Sequence, residues 1–199
     1  MQLEEGREDP PAGVTDMSSL QQIADAFPEA ARDLRVNLTA VLADSSLEPR
    51  LAHAVALASA LAARSEALAA AIDAAEALDD AARDDARAAA ALMAMNNVFY
   101  RFRHMIGRAE YAQMPARLRM TRIAKPRMGK VEFELLSLAV SAIHGCEACV
   151  RAHEKGVLEG GLSEENVLDA VRIAAVVHGA ASADWMARAL PIPQNPTTR

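Results

Sequence analysis

Apolar residues in this chain recur at helical spacing, and they never alternate with a period of two over a useful length. That pattern excludes a sheet and predicts an all-α fold. Hydrophobic residues make up 52% of the 199 positions but aromatic ones only 4%. The surplus is alanine, the residue most favourable to helix and small enough for close helix packing. The length suits one helical domain or two small lobes sharing a core.

Proline, glycine and capping residues divide the pattern. Residues 1–17 carry acidic side chains and Pro10-Pro11 and are expected to form a disordered extension, with Ser18-Ser19 capping the first helix. Pro28 suits the first turn of a second helix running towards Asp44, with Leu34, Leu38 and Val41 on one face. Ser45-x-x-Glu48 reads as a capping box opening a third. Residues 66–78 predict a fourth, Asp79-Asp80 break the pattern, and a long helix runs from near Ala81 to Arg103 or beyond. Pro115, Pro126 and Gly129 mark a connecting segment. Residues 132–143 are helical, with Phe133, Leu136 and Val140 on a common face, and His144-Gly145 interrupts them. A new helix then starts at or beside Cys146, and Gly160-Gly161 stop it. Ser163 caps the last helix, which passes through Leu168, Val171, Ala175 and Val176 and ends before Pro191. Residues 18–190 thus read as one helical domain, and 191–199 as a frayed tail.

A weak internal repeat pairs residues 95–103 with 143–151, and Arg122-Ile123-Ala124 with Arg172-Ile173-Ala174. It implies a pseudo-repeat of about residues 81–125 and 130–190, in which Val98 and Arg101 stand where the second copy has thiols.

The net charge is −6, and no basic stripe with interleaved aromatics is present, which argues against a nucleic-acid partner. The first 15 residues lack the apolar core of a secretory signal. No apolar run approaches the ~18 residues needed to cross a bilayer; the alanine-rich run 52–63 is too short and holds His53. A cytoplasmic protein with no membrane partner is expected. In that reducing compartment a CxxC serves catalysis or metal binding more often than structural stapling.

The only two cysteines form Cys146-Glu147-Ala148-Cys149, with His153 one helical turn further on. Thiols at i, i+3 can close a disulfide, and a helix's first turn and a nearby imidazole both favour thiolate. Cys149 and His153 share one helical face. Glu134, twelve residues before Cys146, can reach His153 or a thiol if its helix packs back on the CxxC helix. Three zinc ligands are also conceivable, with His144 or Glu134 as a fourth, but structural zinc sites usually add a second distant Cys or His pair. A thioredoxin-type motif follows a strand in an α/β fold, which this chain does not offer. His53, His104 and His178, with Glu147 and Glu154, read as surface or packing residues. Met93 and Met95 read as core, Trp185 as an anchor for the last helix, and Asp79-Asp80 and Asp84-Asp85 as solvated.

The set Glu134-x11-Cys146-x2-Cys149-x3-His153 resembles the signature of the AhpD alkylhydroperoxidases, within the carboxymuconolactone decarboxylase-like superfamily. Phe133-Glu134-Leu135, Ala139-Val140-Ser141-Ala142-Ile143, Ala152-His153-Glu154, Met95-Asn96-Asn97-Val98-Phe99-Tyr100-Arg101 and Leu118-Arg119-Met120 carry the likeness over most of the chain. The resemblance implies an all-helical fold of two related lobes, assembled as a homotrimer. It implies reduction of alkyl hydroperoxides, directly or through a partner peroxiredoxin. Electrons would come from dihydrolipoamide on a lipoylated acyltransferase served by its flavoprotein reductase, with no tightly bound cofactor or metal. Residue by residue, it makes Cys149 the peroxide-attacking thiol, Cys146 the resolving thiol, and His153 and Glu134 the proton-relay pair. Ala148 departs from relatives that carry a second histidine there; His144 is a possible substitute, more naturally placed as a structural residue at the helix junction. Two other functions stay open: a decarboxylase of the same superfamily, against which the paired thiols argue, and a redox-sensing interaction module.

Overall fold

The structure, a computed structural model, describes residues 15–190. They form nine α-helices: α1 (Thr15–Asp25), α2 (Arg32–Ala40), α3 (Pro49–Ala62), α4 (Glu66–Asp73), α5 (Asp80–Ile106), α6 (Ala109–Gln113), α7 (Lys130–Ile143), α8 (Glu147–Glu159) and α9 (Glu164–Ala189). No strand occurs among the described residues, so the all-α expectation holds. Residues 1–14 and 191–199, with the disorder and fraying expected of them, lie outside the described part.

The alanine-rich α3 is the centre of the molecule. Ala52, Ala54, Val55, Ala56, Leu57, Ala58 and Ala60 are buried around its whole circumference, as befits a helix surrounded by others. It packs on α5, α7 and α9. One apolar cluster extends from Leu20 in α1 to Ala183 in α9. In α7, Phe133, Leu136 and Val140 are buried as expected, and so are Leu135, Leu138 and Ala139.

Several boundaries differ from those read in the sequence, each for a local reason. α1 begins at Thr15, so Ser18-Ser19 lie inside a helix and residues 15–17 belong to it. Pro28 opens only a 3-10 turn, Glu29–Ala31, before α2, which ends at Ala40. The capping box at Ser45 and Glu48 does not form. Pro49 occupies the first helical position, where its fixed φ and missing N–H cost nothing, and Glu48 is itself the N-cap. The Glu48 carbonyl accepts from the amides of Leu51 and Ala52, at 2.9 and 3.0 Å. α4 stops at Asp73 instead of continuing to residue 78, because Arg83 of α5 donates to the carbonyls of Asp73, Ala75 and Leu78. Asp79 caps α5 by accepting from the Ala82 amide at 2.8 Å.

Two residues read as solvated or anchoring do the opposite. The Asp85 side chain has 0% exposure. It accepts from the amides of Arg127 and Met128 at 2.8 and 2.7 Å and pairs with Arg122, tying the segment before α7 to α5. Those amides precede α7 and lack helical partners, so the carboxylate satisfies donors that burial would otherwise orphan. Trp185 is 62% exposed and anchors nothing. The segments aligned as a repeat are built differently: 95–103 is uninterrupted helix within α5, whereas 143–151 contains the junction between α7 and α8.

That junction positions the thiols. Gly145 sits at φ 65°, the left-handed conformation that favours glycine. The amides of Gly145 and Cys146 close back on the carbonyls of Ala142 and Ser141, both at 3.1 Å. The chain reverses there and α8 folds back along α7. Close approach at the far end depends on Gly160, where a Cβ would lie 2.3 Å from Val131 Cγ2. Gly160→Ala should therefore lower stability by about 1–3 kcal/mol, and adding Val131→Ala should restore most of it. Urea unfolding of both variants checks this; an unchanged midpoint in Gly160→Ala would contradict the close packing.

Candidate active site

Cys146 is the N-cap of α8 and Cys149 the third residue of its first turn. Their Cα atoms are 5.3 Å apart, and the two sulfurs are joined as a disulfide. The structure thus shows the oxidised form of the dithiol. Cys149 is 8% exposed and Cys146 has no exposed surface.

Glu134 on α7 and His153 on α8 meet as the sequence allowed. His153 Nδ1 is 2.6 Å from Glu134 Oε2, and each side chain is less than one-fifth exposed. A carboxylate has no proton to give, so Nδ1–H donates and Nε2 is left as the basic nitrogen. Gly156 lies beside this pair: a Cβ there would sit in ordinary van der Waals contact with Glu134 Cγ and Cδ, at 3.4 Å.

Cys149 and His153 open together into a cleft of about 500 Å³. Met93, Asn96, Asn97 and Tyr100 of α5 form one wall, and Met120, Ile123 and Ala124 of the segment before α7 form another. Ala148 and Ala152 complete the α8 side, with Lys130 at the start of α7. The lining is largely apolar, as in most small-molecule sites. Asn96, Tyr100, Met120 and Lys130 were not singled out in the sequence as site residues. The only signal for the first three was their membership of the segments that carry the family likeness.

His144 does not line this cleft. Its Nδ1 accepts from Asn97 Nδ2 at 3.0 Å, and Asn97 Oδ1 accepts from Ser141 Oγ at 3.1 Å. Arg101 donates to the His144 carbonyl. These bonds engage His144 at the junction of α7 and α8. Glu147 pairs with Arg151 at 2.9 Å and with His104 at 3.4 Å. Arg151 first of all holds the Glu147 carboxyl below its ordinary range. Among the described residues, no group of three or more His, Cys, Asp or Glu side chains is arranged to hold a metal ion. No described helix is long and apolar enough to cross a membrane.

An all-helical body with a CxxC, a histidine one turn on and a carboxylate on the neighbouring helix defines a helical dithiol protein. Known proteins agree. Residues 109–190 match the carboxymuconolactone decarboxylase family. An alkyl hydroperoxide reductase AhpD of Anaeromyxobacter sp. (strain K) is 55% identical over 167 residues, 83% of this chain and 90% of the relative. The protein of the same name from Anaeromyxobacter dehalogenans (strain 2CP-C) is 57% identical over 169 residues, covering 84% and 91%. That of Rhodospirillum centenum (strain ATCC 51521 / SW) is 48% identical over 166 residues, covering 82% and 89%. The chain belongs to the AhpD family.

The His144 environment predicts a pH effect. Burial, and then the Arg101 charge, push its imidazole below the ordinary value of 6.5. In the window below about 6.5, the unfolded chain therefore binds a proton at this residue that the folded one refuses. Stability is fully present above the window and falls as pH drops towards the lowered folded value. Thermal melts should show a decline as pH falls below about 6.5, and His144→Asn should flatten it. An identical slope in the variant would contradict this origin.

Proposed function

We propose that this protein is an antioxidant thiol peroxidase and disulfide reductase acting on alkyl hydroperoxides. The observation that carries the reading is the position of Cys149 in an apolar cleft beside an imidazole whose Nδ1 is held by Glu134. Names of relatives at about half identity support the same chemistry. In the reduced protein His153 Nε2 takes the Cys149 proton. The thiolate attacks the terminal peroxide oxygen, the O–O bond breaks, and the alkoxide leaves as the alcohol with the proton from His153. Cys149 is left as a sulfenic acid, and Cys146 attacks its sulfur to release water and form the disulfide.

The exposure difference supports entry of the reductant at Cys149. Dihydrolipoamide fits an apolar cleft of this size, and its two thiols return the pair to the reduced form by exchange. Family membership supports the wider circuit: a lipoylated acyltransferase and its flavoprotein reductase as the electron source, and a partner peroxiredoxin as a second acceptor in the cytoplasm. A homotrimer fits the exposed apolar row Val98, Phe102 and Met105 along α5.

A coupled assay with cumene hydroperoxide and dihydrolipoamide tests the reading. Turnover should exceed that with glutathione or thioredoxin and vanish in Cys149→Ser. Cys146→Ser should trap a sulfenic acid at Cys149 with one equivalent of peroxide. His153→Ala should slow the peroxide step by ~10²–10⁴-fold with little change in melting temperature. No turnover with any dithiol would leave a redox-responsive interaction protein as the better account. Turnover equal to wild type in His153→Ala would reduce the imidazole to a structural residue.

A further inference from the structure

Three polar residues of the cleft wall are held by partners. Glu134 and His153 hold each other, and Asn97 is shared between Ser141 and His144. Asn96 differs. It is 6% exposed, and its Oδ1 is sealed from solvent with no hydrogen-bond partner. An unpaired buried carbonyl oxygen is destabilising, and two other buried atoms share this state, Arg35 Nε and Ser137 Oγ. Neither of those residues lines the cleft, whereas Asn96 lies on the α5 wall that faces Cys149. Its Nδ2 is not among the sealed atoms and has no partner among the described residues, so it is the polar atom of Asn96 open to the cleft.

We infer that Asn96 is the peroxide-binding group of this cleft, an inference that rests on the peroxidase reading. A hydroperoxide offers one O–H donor and two acceptor oxygens. With Oδ1 sealed, the carboxamide presents Nδ2 to the cleft, and Nδ2 donates to the alkyl-bearing oxygen. That pairing holds the terminal oxygen towards Cys149 Sγ. As the S–O bond forms and the O–O bond breaks, negative charge grows on the alkyl-bearing oxygen. The Nδ2–H bond then strengthens until His153 delivers the proton, which is the condition for a hydrogen bond to speed a reaction. The rest of the α5 wall, Met93 and Tyr100, receives the alkyl group.

Asn96→Leu tests this, because leucine keeps the branched shape and removes the polar atoms. Sulfenic acid formation, followed in the Cys146→Ser background with cumene hydroperoxide, should slow by about tenfold or more, one hydrogen bond lost in the transition state. Reduction of the Cys146–Cys149 disulfide by dihydrolipoamide should slow far less. Melting temperature should hold or rise, whereas a structural role for Asn96 would lower it. An undiminished peroxide step in Asn96→Leu overturns the inference while leaving the peroxidase reading intact. If both half-reactions slow equally, or the variant does not fold, NMR of the Asn96 side-chain amide in the disulfide form decides. Cumyl alcohol should shift that signal, and no shift at saturating alcohol overturns the assignment. A wild-type thiol that never forms sulfenic acid removes the peroxidase reading, and this one with it.

Discussion

The close approach of α7 and α8 is the constraint on which the site depends. Gly145 turns the chain back on itself, and Gly160 lets α8 lie against Val131 at the other end. Between them, Gly156 lies beside the Glu134 side chain. Only at that separation does a carboxylate on one helix reach an imidazole on the other at 2.6 Å. The same turn makes Cys146 the cap of α8 and puts Cys149 in its first turn, among backbone amides with no helical acceptor. Thiol, imidazole and carboxylate are thus placed by one helical hairpin, and the α3-centred core holds that hairpin in place.

The cleft is completed from outside the hairpin. α5 contributes a rigid wall, and the segment before α7 contributes Met120 and Ile123. That segment carries little regular structure of its own. Asp85 fixes it by satisfying the Arg127 and Met128 amides and by pairing with Arg122. A carboxylate buried far from the thiols therefore helps shape the space in front of Cys149. The cleft's apolar lining suits an organic substrate better than a strongly hydrated one.

Features legible in the sequence were those set by local spacing. The Cys146, Cys149 and His153 register needs only a helix, and the buried faces of α7 follow from its periodicity. Glu134 was legible as a candidate, but its pairing required knowing how two helices pack. Asn96 and Tyr100 were hidden because only the tertiary fold turns that face of α5 towards the thiols. Asp85 was misjudged because a helix-borne aspartate is usually solvated, and the amides that claim it lie about forty residues away. The capping-box pattern at Ser45 yielded to Pro49, whose ring sets the helix start one residue after Glu48.

The central claim is that the Glu134-held imidazole of His153 activates Cys149. The most direct measurement is the ultraviolet thiolate absorbance of reduced Cys146→Ser protein as a function of pH, with and without His153→Gln. The account predicts that Cys149 ionises below the ordinary thiol value of about 8.5 and that removing His153 moves its titration to higher pH. Superimposable titration curves in the two proteins would contradict it.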